Sequence, residues 1–283
     1  MLERRWSSSL EGSAANGVNT EEEDRMADYI DVEQAKTLDG LRIVAPPGRP
    51  NPWAEGLKGM CYIKNLPYVL VGKAPGHDAA LQDWTRQSSS PVAVWNEERP
   101  RTTWNEQLYL VERLAPLPSL VPDDETQRIL MFGLCNELCG ETGLGWCRRI
   151  MIVDGILSNP EVGEQGKTAA TYLGGKYGYS PATAEAAPQR VAQILRTLSA
   201  RLAEQQAQGL PYLIGDTLSA LDIYWSTFAA LVQPLPLDLC PMDAAFRASF
   251  VNTDSVVAEA LSPQLVEHRD RIYRDHLRLP MDF

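Results

Sequence analysis

Gly215-Asp-Thr-Leu-Ser219-Ala-Leu-Asp222-Ile-Tyr-Trp225 is the stretch that decides how the second half of this chain folds. Ser219 is a favoured N-cap, and Asp222 follows three residues later at capping-box spacing, with Asp where Glu or Gln is usual. Leu218 and Ile223 occupy the two positions of a hydrophobic staple. The pattern fixes a helix start: its first free amides and the entry angle of the chain are set by four side chains. Asp222 is therefore read as a folding residue, and its replacement is expected to cost on the order of 1 kcal/mol or more.

Outward from this point, every pattern as far back as residue 124 is helical. Apolar periodicity runs over residues 124–139, 146–154, 161–173 and 188–206. The last of these opens at Pro188 and carries Val191, Ile194, Leu195, Leu198 and Leu202 on one face, with Arg190, Arg196, Arg201 and Glu204 elsewhere. Cys135 and Cys139 share a helix face at i,i+4 and read as buried thiols. Pro116, Pro118 and Pro122 mark a linker over residues 116–122, so residues 123–283 form an all-helical domain.

Before the linker the period changes. Leu41–Ala45 is a strand, ended by Pro46-Pro47-Gly48. Asn51-Pro52-Trp53 is a helix start, with Asn at the N-cap and Pro at the first helical position. Trp53, Leu57, Met60, Cys61 and Lys64 follow at helical spacing, and Pro67 ends the run. Tyr68–Gly72 is the next strand, which completes a βαβ unit. A short helix is expected near Leu81 and Trp84. Pro91–Trp95 is a third strand, and a weak fourth leads to Thr103-Trp-Asn-Glu106, a capping box ahead of Leu108, Val111 and Leu114. Residues 37–115 are thus an α/β domain. Residues 1–36 carry nine acidic and four basic residues, hence −5 of the formal −11, with few apolar side chains, and are expected to be a flexible acidic tail. Arg4-Arg5-Trp6 leads only into serines, so no secretory signal is read, and Met26 is a candidate start.

The 283 residues are 44% hydrophobic and 22% charged, which is globular chemistry. The acidic balance excludes a general nucleic-acid or anionic-membrane binder, and no apolar run is long enough to span a bilayer. Five scattered cysteines form no disulfide framework. His77, His268 and His276 have neither zinc-ligand spacing nor a triad context, so no metal is expected.

Three of these pieces together resemble the cytosolic glutathione transferase superfamily, over roughly residues 40–280. Asn51-Pro52-Trp53 with Pro67-Tyr68 looks like the helix that begins at the family's catalytic residue. Ser90-Pro91-Val92-Ala93-Val94 looks like its cis-proline strand, and Gly215-Asp-x-x-Ser219-x-x-Asp222 like its helical-domain capping motif. The resemblance implies a thioredoxin-like N-terminal domain followed by an all-α domain, glutathione as co-substrate, a cytoplasmic homodimer, and detoxification by conjugation of glutathione to a hydrophobic electrophile. Val92, after cis Pro91, would pair with the cysteinyl backbone. The helix start at Thr103, Trp104 and Asn105 would take the γ-glutamyl end, where the family usually has Glu-Ser or Gln-Ser.

The resemblance puts Asn51 at the catalytic position, which usually holds Ser, Tyr or Cys. Without Cys, mixed-disulfide chemistry is not expected. Asn51 can instead donate its amide to a thiolate. Lowering a thiol pKa by two units takes about 2.7 kcal/mol, and a hydrogen bond to a charged group supplies about 1.5–3 kcal/mol. Two alternatives stand beside transfer: glutathione-dependent cleavage of an ether or carbon–halogen bond, and a non-catalytic ligand-binding or scaffolding relative. Of Trp146, Tyr172, Tyr177, Tyr179 and Tyr224, one or two are expected to line the acceptor pocket and the rest to be core. Arg49 and Arg86 are read as surface residues.

Overall fold

The computed structural model describes residues 28–73 and 78–283. Four strands form one sheet in the order β1 (Tyr29–Ile30), β3 (Tyr68–Gly72), β2 (Leu41–Ala45), β4 (Val92–Trp95). β2 is parallel to β3 and antiparallel to β4, and β1 adds a parallel edge. An isolated bridge between Ala93 and Arg101 stands where the weak fourth strand is expected. Helices α1 (Val32–Lys36), α2 (Pro52–Ile63), α3 (Ala79–Thr85) and α4 (Trp104–Leu114) surround the sheet.

Strand alternation divides the interior. Val44, Val71, Val92 and Val94 face Val32, Ala35 and Leu81 of α1 and α3 in a small separate core. Leu41, Ile43, Ala45, Leu70 and Ala93 face α2 and α4, and that side continues without a break into the helical region. The helical region comprises α5 (Glu125–Cys139), α6 (Leu144–Ser158), α7 (Glu164–Tyr177), α8 (Pro181–Ala207), α9 (Ala220–Phe228), α10 (Ala244–Phe250), α11 (Ser255–Ala260) and α12 (Pro263–His276). A thioredoxin-like layer followed by an all-helical layer is the architecture expected above.

The layers meet closely through glycines. A Cβ on Gly56 of α2 would lie 2.8 Å from the Tyr224 ring, and one on Gly145 of α6 would lie 2.4 Å from Phe228 and 2.7 Å from Trp53. Lys64, just past α2, is buried and donates to the carbonyls of Ala115 (2.7 Å) and Pro118 (2.5 Å) while pairing with Glu112 at 2.9 Å. These bonds fasten the connection between the layers.

Two expectations are corrected. The expected tail extends through residue 36, but Asp31 caps α1 by accepting from the Gln34 amide at 2.8 Å, while Gln34 Oε1 accepts from the Asp31 amide at 3.2 Å. Val32 and Ala35 are buried in the small core. Residues 1–27 of the expected tail lie outside the described residues. The long helix α8 begins not at Pro188 but at Pro181, behind an N-cap at Ser180. Pro188 sits inside the helix, a position that costs about 3 kcal/mol in isolation and is overridden by the burial of Ala187, Val191 and Ala192.

Candidate glutathione site

Asn51 is extended (φ −110°, ψ 113°), and its Oδ1 accepts from the Trp53 amide at 3.1 Å, as an N-cap should. Its Nδ2 donates across to the Ser90 carbonyl at 3.3 Å. The Ser90–Pro91 peptide bond is cis. Two of the pieces singled out in the sequence, 39 residues apart, are therefore side by side. The second Nδ2 proton of Asn51 remains at the tip of α2, where the helix dipole favours negative charge.

Sequence reasoning missed Gln107. It is buried, and its Nε2 donates to the Pro91 carbonyl (3.0 Å) and the Arg101 carbonyl (3.2 Å), tying α4 to the proline loop. Nothing in the local pattern singles it out, because it lies on the buried side of α4 beside Leu108.

Val92, expected to pair with the cysteinyl backbone, stands in the β2–β4 ladder. Ala93 exchanges both backbone bonds with Arg101, at 2.9 and 2.8 Å. Successive residues of a strand turn their backbone groups to opposite sides. Val92 therefore faces β2, opposite Val44, and its backbone belongs to the ladder. Ser90 lies just before β4, across the cis bond; its carbonyl accepts from Asn51, and its amide has no partner among the described residues.

The start of α4 is partly occupied. The Glu106 carboxylate accepts from the amides of Thr102 (3.2 Å) and Thr103 (3.4 Å) and from the Thr103 hydroxyl (3.1 Å), and pairs with Arg99 at 2.8 Å. Burial pushes this carboxyl up, but the bonds from Arg99, Thr102 and Thr103 together outweigh it and hold Glu106 below the usual range. Asn105 Oδ1 accepts from the Glu106 amide at 3.0 Å. That leaves the amides of Trp104 and Asn105 without partners among the described residues.

Behind this end of the sheet a series of rings joins the layers. Tyr224 is buried, stands edge-on to Trp104 (5.8 Å) and donates to its carbonyl at 3.2 Å. Trp53 donates to the Cys139 carbonyl at 3.0 Å and meets Phe228 edge-on at 4.7 Å. Trp146 packs on Tyr177 and donates to its carbonyl at 2.9 Å, Tyr179 donates to Asp154 at 2.9 Å, and Tyr172 is exposed. Cys135 and Cys139 are both buried, and burial raises both thiols well above their ordinary value. Arg49 lies over the Phe246 ring, and Arg86 sits on the surface near Asp83.

Asp222 is fully buried. It accepts from the amides of Leu213 (2.9 Å) and Ser219 (3.0 Å) and from the Ser219 hydroxyl (2.8 Å), and it meets His268 Nε2 at 2.9 Å. The Ser219 hydroxyl thus donates to Asp222, so this capping motif reaches further into the fold than its local spacing indicates.

No protein-family profile matches the chain, and no curated protein does. Solved structures do. A rice glutathione transferase, GST1 (OsGSTU1), in complex with glutathione superposes with a TM-score of 0.54 at 17% identity, covering 86% of this chain and 93% of that one. The β-etherase LigF from Sphingobium sp. strain SYK-6 gives 0.52 at 15% identity, over 78% and 98%. A glutathione transferase from Methylobacterium radiotolerans, in complex with glutathione sulfonate, gives 0.50 at 16% identity, over 83% and 91%. The fold is that of the cytosolic glutathione transferases. Among the described residues no helix is long and apolar enough to cross a membrane.

Proposed function

We propose that the protein is a glutathione transferase that conjugates glutathione to a hydrophobic electrophile. The observation that carries this reading is the bond from Asn51 Nδ2 to the carbonyl of Ser90, which sets a carboxamide at a helix tip beside the cis-proline turn. The glutathione thiol loses its proton to solvent, and the remaining Nδ2–H of Asn51 donates a hydrogen bond to the thiolate. The sulfur then attacks the electrophilic carbon, forming a C–S bond as the leaving group departs with its electron pair. The free amides of Trp104 and Asn105 at the start of α4 bind the γ-glutamyl carboxylate. Ser90, rather than Val92, offers its amide to the cysteinyl backbone. A homodimer in the cytoplasm is part of the same reading. Tyr109, Ile129 and Leu130, exposed on α4 and α5, supply an apolar face for a second copy.

One observation favours a second, non-catalytic reading. Glu106 takes two amides and places a negative charge at the helix start that the tripeptide's carboxylate needs. Retention on immobilised glutathione, a thermal shift with free glutathione and turnover of chlorodinitrobenzene separate the readings. Retention with turnover supports the transferase, and turnover confined to aryl-ether or haloalkane substrates supports the cleaving enzyme. Absence of retention, shift and turnover refutes a glutathione site.

A further inference from the structure

A cavity of about 990 Å³ opens between α2, the β1–β3 edge and the segment after α12. None of Asn51, Ser90, Pro91 or Gln107 lines it. Its apolar walls include Leu66, Tyr68, Leu70, Leu277 and Met281.

Its polar lining is unusual in two ways. Lys58 is buried, and its ammonium is committed to Glu55 (3.2 Å to each oxygen), to Asp282 Oδ1 (3.4 Å) and to the Asp282 carbonyl. Arg278 is held by Asp282 Oδ2 at 2.8 Å. Both cations of the cavity are therefore bound to its own acids, and the three carboxylates of Asp28, Glu55 and Asp282 still outnumber them. Glu55 is nearly buried, its carboxylate has only Lys58 as a bonded partner among the described residues, and burial pushes it up to about 6 despite that ammonium. The second feature is Tyr273. It is 3% exposed and lines the cavity, and its hydroxyl has no hydrogen-bond partner among the described residues. A buried polar group without a partner is costly and is resolved when a ligand supplies the missing bond.

We propose that this cavity is a second binding site, distinct from the glutathione site, for a small organic cation: a primary amine on an apolar or aromatic body. The ammonium donates to the Glu55 carboxylate and to the Tyr273 oxygen, and offsets the surplus acid. The body lies against Leu66, Tyr68 and Leu277, and the tyrosine faces favour positive charge.

Isothermal titration of the full chain near neutral pH tests this with 2-phenylethylamine, 2-phenylethanol and 3-phenylpropionate as probes. The amine is expected to bind, the alcohol to bind about tenfold more weakly and the carboxylate not measurably, since a charged hydrogen bond is the difference between them. Tyr273→Phe removes an oxygen that has no hydrogen-bond partner among the described residues, so it should fold normally and weaken the amine about fivefold. Saturating glutathione and Asn51→Gly should leave the amine's affinity unchanged, which keeps this result separate from any failure of the glutathione reading. Equal binding of all three probes, no binding of the amine, indifference to Tyr273→Phe, or displacement by glutathione would each overturn the proposal.

Discussion

Replacing Asp222 tests how far one carboxylate organises the helical layer. The local capping pattern alone suggests about 1 kcal/mol, but the structure gives Asp222 partners on three segments. It holds the Leu213 amide at 2.9 Å, the Ser219 amide at 3.0 Å and hydroxyl at 2.8 Å, and His268 Nε2 at 2.9 Å. Arg271 donates to His268 Nδ1 at 3.2 Å, so the ring proton given to Asp222 sits on Nε2. Asp222→Ala leaves two buried backbone amides and the buried His268 Nε2 proton without acceptors, at about 1–3 kcal/mol each, while the Ser219 hydroxyl can rotate to a new partner. The expected loss is about 4 kcal/mol. Asp222→Asn keeps one acceptor oxygen and turns an amide against the donors on the other side, so about half of that loss is expected. Urea unfolding measures both through the midpoint at unchanged slope. An Ala variant within about 1 kcal/mol of the parent, or an Asn variant as damaged as Ala, would refute the account built on buried amides.

Asn51→Gly should lower stability by about 1 kcal/mol, from the lost Ser90 bond and a slightly weaker cap. It should raise the bound thiol's pKa by about 1–2 units, read from the thiolate ultraviolet band and a roughly 10–100-fold slower conjugation at acidic pH. Unaltered turnover would make Asn51 a cap alone. Glu55 binds its proton more tightly when folded, since burial raises it from 4.5 to about 6. Its contribution is therefore fully present below pH 4.5 and falls by about 2 kcal/mol as pH rises through 6. Unfolding free energies of the parent minus Glu55→Gln, taken across that window, should show this fall. Gly145→Ala places a methyl against Phe228 and Trp53, and overpacking of about 1–3 kcal/mol should lower the urea midpoint. Because Trp53 follows the N-cap by two residues, glutathione turnover should fall with it.

Much of the fold was legible because its decisive signals are local. Ser219 with Asp222, Thr103 with Glu106, and Asn51 ahead of Pro52 each set a helix start through residues three or fewer apart. The cis bond before Pro91 came from the resemblance, and the structure carries it. Less legible were features that depend on distant partners. Gln107 is an ordinary helix residue until the Pro91 and Arg101 carbonyls arrive beside it. The direction in which the Val92 backbone faces is fixed by the pairing of Ala93 with Arg101, which the sequence does not spell out. The Asp31–Gln34 box was a readable signal obscured by the acidic run before it. Pro188 has the local signature of a helix start, but Ser180-Pro181, seven residues earlier, is the better one.

The sheet divides the apolar interior unequally. One side merges with the helical layer, while on the other, among the described residues, only seven are buried between the sheet and α1 and α3. Free energy of opening scales with what must be uncovered, so the two sides need not let go together. Residues 29–36 and 79–85 should lose amide protection first, as a shallow flap over the back of the sheet. The strand leading from cis Pro91 would then have one face that breathes and one that stays shut.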